Sequence, residues 1–448
     1  MRNLWRKAGI PLAVLVLLLL PASAHTVNTD TLNVRSGPGT SYTIVGTLKR
    51  GTQVSTSTVS GAWTKITSPL AGWVYSAYLA NTPHIPYPNL WGAVPARPAE
   101  FFFPPCVNLR DTTVVIRWRT ANPRTGTVSY GTTSSYGSVS RSATPGTIHK
   151  VYLDGLAPAT RYFYRVAVDG TSAAMTGTFV TPGAGLTKIR AVFLGEVHYP
   201  SYVSYVAKFA PLIRKFSPHL VIESGDMMDY GAQDSNWASY MQNSTAWLPS
   251  TIFLPCHSNH VNGSGGNANL KNFFSLPNNE RWYATRFGPL LNLTLDSTFE
   301  LNADVGTTQI SWLRSQMAAA HDGAGDPFFT TAVWHYPAYS SGPASRAGQR
   351  DWVRRNFLST ITGNGGADLV HVAHDKFTER SVINGLNHVQ TNIGNLTPQI
   401  ESSNPYKVYR NTATRSTLFV EFDVAARKLT GWIINGDGAI LDWFVIKK

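Results

Sequence analysis

The stretch "HLVIESGDMMDYG", residues 219–231, joins an apolar run to carboxylates that follow it directly. Residues 220–222 are Leu, Val and Ile, which indicates a strand. Asp226 and Asp229 stand where this strand would end. In open sheets of parallel strands, ligands bind at the carboxyl ends of the strands. The stretch therefore predicts an α/β domain whose functional residues lie at strand ends.

The flanking residues extend the same pattern. "IRAVFLGEVH", residues 189–198, is a second apolar run that ends in polar residues. Between the two runs, residues 202–216 carry apolar side chains at helical spacing, namely Val206, Phe209, Ile213 and Phe216. Strand, helix and strand in this order are typical of an α/β layout. We place this domain at residues 185–448, closed by three short strands in "STLFVEFDV", "KLTGWIIN" and "AILDWFVIK".

Five strand ends of this domain carry side chains of the kinds that bind metals. Each end follows an apolar run, which is hard to explain by chance. Imidazole and carboxylate groups together suit Zn, Fe or Mn. A bridging carboxylate lets two such ions lie about 3.5 Å apart. The residues are Glu196 and His198 in "GEVH", Asp226 in "GDMMD", Asn259 and His260 in "HSNH", His335 in "AVWHYP", and His374 with Lys376 in "AHDK".

This series of motifs resembles the calcineurin-like metallophosphoesterase superfamily, and the domain layout is most similar to purple acid phosphatases. The family pattern is D-x-H, G-D, G-N-H-[D/E], H and G-H-x-H, in that order. The resemblance covers residues 106–448. It implies a four-layer α/β sandwich and a metal-dependent hydrolase in which a metal-bound hydroxide attacks a phosphoester substrate. The implied cofactors are one or two transition-metal ions, Fe, Mn or Zn.

The resemblance also implies a role for each matching residue. Asp226 would bridge two metals, and Asn259, His335 and His374 would complete the second metal site. His260 would be the catalytic proton donor, or would stabilise the oxyanion beside the leaving group. All of these residues match the family pattern.

The first metal site departs from the family pattern at two positions. Glu196 stands in place of an aspartate beside His198, and Lys376 stands in place of the last histidine. A protonated lysine cannot bind a metal because an ammonium group has no free lone pair. Both changes fall on the same site, so the number of metals is left open at one, two or none.

Three interpretations remain for this altered site. In the first, one metal is bound and Lys376 is a catalytic residue that supplies the charge of the missing ion and contacts phosphate. In the second, Glu196, His198 and Asp226 hold a weak second metal. In the third, the protein is a catalytically degenerate phosphatase fold that acts as a cell-wall or surface binding protein. The residues retained at the second site favour catalysis.

Other positions near the motifs also differ from the family pattern. Ser258 and Ala373 replace glycines, and Val261 replaces an acidic residue. Asp229 stands where the family has a tyrosine, so a purple iron chromophore is not expected. We expect Asp229 to orient a ligand or a loop instead.

Three further histidines match no ligand position. We expect structural roles for His257 and His371, and a place in a loop for His388.

The N-terminal part contains two β modules. Residues 25–81 resemble bacterial SH3-like domains in "LNVRSGPG", "GTLKRGT" and "GWVYSAYL", which implies a small β-barrel and a possible cell-wall or surface polymer as partner. Residues 82–105 form a Pro-rich linker. Residues 106–184 are predicted to form a fibronectin-type β-sandwich similar to the N-terminal domain of purple acid phosphatases, which has the same run of residues from Leu156 to Val166.

The first 24 residues predict export. They combine basic residues, an apolar run and Ala22-Ser23-Ala24, which is typical of a cleaved signal peptide. We therefore expect a secreted, periplasmic or cell-surface protein with no transmembrane segment in the mature chain. The net charge is +13, but no Lys/Arg cluster indicates a nucleic-acid partner. Cys106 and Cys256 are either one disulfide or two buried thiols, and the sequence leaves both open.

Overall fold

The computed structural model of this chain divides into two units, Met1–Thr82 and Pro83–Lys448. The predicted signal peptide lies, apart from Ala24, outside the residues that the structure describes. Those residues are 24–81, 83, 85–110, 112–142, 144–263, 267–320, 327–362 and 366–448.

The first unit is an antiparallel sheet of seven short strands, in the order β3-β2-β6-β5-β4-β1-β7. Alternating residues such as Leu32, Val34, Ile66 and Val74 are buried in its small core. This confirms the SH3-like prediction. The strands are β1 (Ala24–Val27), β2 (Thr31–Arg35), β3 (Ile44–Lys49), β4 (Gln53–Ser60), β5 (Trp63–Ser68), β6 (Gly72–Tyr75) and β7 (Leu79–Asn81), with a 3₁₀ turn at Ser76–Tyr78.

The second unit begins with an antiparallel sandwich. Alternation in its strands buries large residues of both sheets, among them Trp118, Tyr164 and Phe179, as a fibronectin-type domain requires. One sheet has the order β11-β10-β13-β14, and the other contains β12-β9-β8. The strands are β8 (Phe101–Arg110), β9 (Thr113–Arg124), β10 (Gly126–Gly131), β11 (Ser138–Arg141), β12 (Gly146–Leu153), β13 (Arg161–Val168) and β14 (Ala174–Val180).

The rest of the second unit supplies most of two mixed sheets. A nine-stranded sheet has the order β12-β9-β8-β17-β16-β15-β25-β26-β27, and a seven-stranded sheet has the order β18-β19-β20-β21-β23-β22-β24. The strands are β15 (Lys188–Leu194), β16 (Leu220–Glu223), β17 (Ile252–Pro255), β18 (Tyr283–Phe287), β19 (Leu290–Thr294), β20 (Phe329–Val333), β21 (Leu369–Val372), β22 (Thr378–Ile383), β23 (Leu386–Gln390), β24 (Lys407–Asn411), β25 (Ser416–Asp423), β26 (Lys428–Asn435) and β27 (Ile440–Lys447).

Helices cover the outer faces of these two sheets. The predicted apolar face of the first helix is buried against the nine-stranded sheet. The described helices are α1 (Val203–Phe216), α2 (Asp234–Asn243), α3 (Asn259–Gly263), α4 (Asn267–Phe273), α5 (Thr308–Ala319), α6 (Ala347–Val353) and α7 (Ser359–Ile361). Short turns add Leu248–Ser250, Ala303–Gly306 and Ala344–Arg346, and a π-helical turn, Arg354–Leu358, joins α6 to α7.

The inner faces of the two sheets pack against each other. The rings of Phe193 and His371 lie 5.3 Å apart, as do those of Phe329 and Phe422. Helices α5 to α7 pack on the far side of the seven-stranded sheet, around residues such as Leu313. The order helices, sheet, sheet, helices confirms the predicted four-layer α/β sandwich.

The fibronectin-type sandwich is continuous with this α/β sandwich. Strand β8 pairs with β17 in parallel, with Val107 opposite Ile252, so one sheet runs through both. The Pro-rich segment packs on the same core, where Ile85, Trp91 and Phe103 are buried. Its last five residues already belong to β8. The sequence showed two patterns of strands, but it held no signal for this pairing between them.

Both cysteines, Cys106 and Cys256, are buried free thiols, which settles the question that the sequence left open. Their burial raises the pKa of each thiol. Among the described residues, no helix is long and apolar enough to cross a lipid bilayer.

The three extra histidines are all structural. His257 hydrogen-bonds to Asn262 and to the carbonyl of Glu280, and His371 to Thr391. The prediction of a loop for His388 is wrong, because His388 lies buried in β23. Strand β23, "LNHVQ", is buried on both faces, and its polar residues led to the prediction of a loop.

Candidate metal centre

The predicted ligand residues meet where strands of the two facing sheets end. Hydrogen bonds and close approaches link the histidines and carboxylates among them into one cluster, and two overlapping groups could hold an ion: His198, Asp226 and His260, and Asp226, His335 and His374. Asp226 belongs to both groups, as a bridging ligand must. Glu196 and His198 follow β15, Asp226 follows β16, Asn259 and His260 begin α3 after β17, His335 follows β20, and His374 follows β21.

The backbone at the cluster is unusual. Four of the twelve non-glycine residues with positive φ in the described part of the chain are candidate ligands. A non-glycine residue in this region costs about 1 kcal/mol or more, and such strain concentrates at functional sites. The four residues are Glu196 (56°), His198 (52°), Asp226 (54°) and His374 (71°).

Two small residues let the strand ends approach each other. Gly225 has φ +101°, and a Cβ atom there would lie 2.7 Å from the His335 ring. Ser258, which replaces a family glycine, accepts a hydrogen bond of 2.8 Å from the backbone N–H of Asp226. The Ser258 hydroxyl therefore stabilises the loop that carries Asp226, the carboxylate shared by both sites.

The second site brings together three hydrogen-bond acceptors. His335 Nδ1 lies 3.0 Å from the carbonyl oxygen of Ser224, so Nδ1 donates and Nε2 keeps its lone pair in the neutral ring. That Nε2 lies 3.2 Å from Asp226 Oδ2 and 3.2 Å from His374 Nδ1. His374 Nε2 lies 3.0 Å from Gln349 Oε1, an acceptor, which leaves the lone pair on Nδ1.

A proton or a metal ion among these acceptors would offset the repulsion between their lone pairs. A proton on His335 would serve Asp226, and it accounts for the raised pKa of His335, which Asp226 produces against the lowering effect of burial. That proton would leave the side-chain oxygen of Asn259 unsatisfied. This oxygen is buried and has no hydrogen-bond partner in the described part of the chain. Imidazole, carboxylate and amide oxygen groups are ligands of transition metals, so the donor set of the second site fits Fe, Mn or Zn.

The charge states at the second site suit metal binding. Burial alone would raise the pKa of Asp226, but His335 and His198 hold that pKa well below its ordinary value. Burial, His335 and Arg346 hold the pKa of His374 well below its ordinary range. Asp226 is therefore ionised and His374 neutral at pH 7, as ligands must be.

The first site is arranged differently. His198 Nδ1 donates to Asp229 Oδ1 at 2.9 Å, and His198 Nε2 lies 3.1 Å from Glu196 Oε1. The second oxygen of Glu196 accepts a hydrogen bond of 2.7 Å from the backbone N–H of His374. Although burial would lower the pKa of His198, Glu196 and Asp229 raise it to about 10. A protonated His198 thus satisfies the first site without a metal.

Asp229 has the orienting role expected for it. Its carboxylate also accepts a hydrogen bond from Ser201, a contact that the sequence did not predict. A carboxylate that accepts from a ligand histidine fixes the ring and its tautomer. Where the family has a tyrosine, this chain therefore has a residue that orients His198.

Lys376 lies in the turn between β21 and β22 and is half-buried. No ion pair joins its ammonium group to Glu196 or Asp226, and Asp375 beside it pairs with Arg346 instead. The catalytic role of Lys376 therefore stays a prediction from the sequence.

His260 is the accessible imidazole of the cluster. Its side chain is 37% exposed, whereas that of His335 is fully buried. His260 Nδ1 donates to the carbonyl of Asp229 at 2.9 Å, so in the neutral ring Nε2 is the nitrogen with the lone pair. That atom lies 3.9 Å from Asp226 Oδ2, beside both sites. Val261, which replaces the family's acidic residue, is buried in the core.

Sequence reasoning missed two residues that support the cluster, Gln349 and Glu300. Neither stands in a motif; Gln349 lies on α6 and hydrogen-bonds to both His374 and Glu300. No pattern in the sequence could have indicated them.

Family models match two segments of the chain. Residues 30–80 match the bacterial SH3 domain, and residues 106–181 match the N-terminal domain of purple acid phosphatases. No curated protein matches the sequence.

Solved structures match much more of the chain than these models do. The purple acid phosphatase PPD1 from yellow lupin (Lupinus luteus) seeds is 14% identical, with a TM-score of 0.65 over 95% of this chain and 90% of that one. The structure of PhoD is 12% identical, with a TM-score of 0.58 over 82% of this chain and 92% of that one. The chain therefore contains a bacterial SH3 domain and a purple acid phosphatase N-terminal domain, and its second unit has the metallophosphoesterase fold.

Proposed function

We propose that this protein is a metal-dependent phosphoester hydrolase that acts outside the cytoplasm with one tightly held transition-metal ion. The ion, Fe, Mn or Zn, would be held by Asp226, Asn259, His335 and His374. One observation carries the proposal: the side-chain oxygen of Asn259, which stands at a ligand position of the family pattern, is buried and has no hydrogen-bond partner among the described residues. The metallophosphoesterase fold supports the same reaction class.

A metal at this site supplies a Lewis acid for a phosphoryl oxygen and lowers the pKa of water. The chain's own residues do the rest. Asp226 stays ionised and neutralises part of the positive charge. His260 reaches solvent through Nε2, and its Nδ1–H holds the ring against the Asp229 carbonyl. Protonated His260 can therefore donate a proton to the leaving oxygen.

The first site would contribute charge without a second ion. Protonated His198 balances Glu196 and lies 3.5 Å from Asp226 Oδ2. Lys376 is half-buried in the turn after β21, and lysine binds a phosphate oxygen as a point charge. In this proposal both groups stabilise the negative charge of the transferred phosphoryl group.

The SH3 domain would hold the enzyme near a cell-wall or surface polymer. A cleft of about 640 Å³ in this domain is lined by Trp63, Tyr75, Tyr78 and Arg35, among others. Exposed aromatic rings beside a cation suit a polymer with both apolar faces and acidic groups. The predicted signal peptide is consistent with this location.

Elemental analysis and a phosphoester panel test the proposal together. The full-length mature protein should retain about one Fe, Mn or Zn ion per chain and should hydrolyse at least one phosphomonoester or phosphodiester. A His260→Asn variant should keep the metal and lose about 100-fold in rate on substrates with poor leaving groups. A protein that binds none of these ions after loading with each would support the alternative, a non-catalytic surface-binding protein.

A further inference from the structure

Gln349 lies on α6 with its carboxamide between two groups. Its Oε1 is 3.0 Å from His374 Nε2, and its Nε2 is 2.9 Å from Glu300 Oε1. Both α6 and the segment that carries Glu300 come from outside the motifs of the metal centre. The carboxamide is therefore a link between the candidate metal ligand and an exposed carboxylate.

The chemistry of these groups allows one orientation of the carboxamide. A carboxylate only accepts hydrogen bonds, so the amide nitrogen of Gln349 must face Glu300. The amide oxygen then faces His374, and an oxygen acceptor requires a proton on His374 Nε2. The lone pair of the neutral ring is thereby fixed on Nδ1, the atom that lies 3.2 Å from His335 Nε2 at the second site.

Glu300 and Arg346 make this arrangement rigid. Glu300 also hydrogen-bonds to Tyr336, whose pKa is raised by burial and by Glu300. The Tyr336 ring lies 4.5 Å from that of His374. At the start of α6, Arg346 donates to the backbone carbonyl of His374 at 2.6 Å. The segment around α6 therefore holds residue 374 by its backbone and by its side chain.

We propose that Gln349, oriented by Glu300, is a positioning residue that fixes the tautomer of His374 and so presents Nδ1 to the metal. The inference rests on the proposed function for the identity of the ligand, but the tautomer itself is a property of the metal-free chain. Groups of this kind typically contribute 10- to 100-fold to metal affinity.

Two measurements on the full-length protein test the proposal. Long-range ¹H–¹⁵N correlation spectra of the metal-free protein report which nitrogen of His374 carries the proton, with a His374→Gln variant to assign the signals. Competition with a chelator gives the affinity for Zn²⁺. We expect Nε2–H in the wild type. Gln349→Leu should mix the tautomers and weaken Zn²⁺ binding by about 10- to 100-fold.

Two further variants separate positioning from a general effect on the helix. The exchange Gln349→Glu with Glu300→Gln keeps the total charge and reverses the donor and acceptor between positions 349 and 300. It should restore Nε2–H and bring Zn²⁺ affinity back near the wild-type value. Gln316→Leu replaces a half-buried glutamine on α5 that contacts none of the ligands, and it should change neither readout.

The proposal is overturned if wild-type His374 carries its proton on Nδ1, or if Gln349→Leu leaves both the tautomer and the affinity unchanged. A wild-type protein that shows Nε2–H but binds no Zn²⁺, Fe or Mn refutes the proposed hydrolase and leaves the positioning role of Gln349 standing. The two failures are thus distinguishable.

Discussion

The two candidate metal sites share Asp226 but differ in how their acceptors are satisfied. At the second site, Asn259 keeps a buried oxygen without a partner in the described part of the chain. At the first site, a proton on His198 serves one oxygen of Glu196, and a backbone N–H serves the other. The acceptors of the second site are therefore consistent with a bound metal ion, whereas those of the first site are satisfied by a proton.

This difference follows from two changes in side-chain length and charge. The additional methylene of Glu196 lets its carboxylate reach both His198 and the backbone of His374. Lys376 occupies the position of the last histidine of the family pattern, and a protonated lysine offers no lone pair to a metal. The hydrogen-bonded pair of Glu196 and His198 thus occupies the first site, and we expect one tightly bound metal at the second site.

Removing one ligand from each site should give the largest contrast. His335→Ala takes away a second-site ligand, and we expect loss of the metal and a fall in hydrolysis of about 1000-fold or more. His198→Ala should retain about one ion per chain, because the four groups of the second site remain. Metal content per chain and rates on the best substrate of the panel measure both. Loss of the ion from both variants would show that the sites are not independent.

Restoring the family residues should rebuild the first site. Glu196→Asp with Lys376→His frees His198 from its carboxylate partner and adds a neutral ligand. We expect the metal content to rise from about one to about two ions per chain. Lys376→Gln is the matched control, since it removes the charge without adding a metal ligand. Equal metal content in the double variant and the control would contradict our account of the first site.

The proton on His198 should make the metal-free protein sensitive to high pH. The folded-state pKa of about 10 lies above the ordinary value of about 6.5, so the stabilisation is complete below pH 6.5 and is lost as the pH rises through 10. Between pH 7 and pH 10, wild type should lose about 2–4 kcal/mol more than a His198→Gln variant. Denaturant unfolding of both proteins with chelator present measures the difference. If the free energy of unfolding changed equally with pH in both proteins, His198 would not carry the proton that is lost between pH 7 and pH 10.

Sequence patterns predicted the fold because it depends on local order along the chain. Apolar strands that end in ligand-type residues predicted the cluster, and each of those strand ends reaches it. The role of Gln349 could not be predicted, since hydrogen bonding between residues that lie far apart in the chain leaves no periodic signal. The pairing of β8 with β17 was hidden for the same reason.

We expect the smallest effect from substitution of Ser258, which should change the free energy of unfolding but not the metal content. Ser258→Gly restores the family residue but removes the hydrogen bond that its hydroxyl accepts from the backbone N–H of Asp226. Loss of this bond and the added flexibility of glycine should lower the free energy of unfolding by about 1–2 kcal/mol. Metal content should stay near one ion per chain, because Asp226 retains its contacts with the histidines. Ser258→Ala is the control for flexibility, and it should cost about 1 kcal/mol. If either variant lost the metal, the Ser258 hydroxyl would be needed to orient Asp226. The contacts of Asp226 with the histidines would then be insufficient to hold the second site in place.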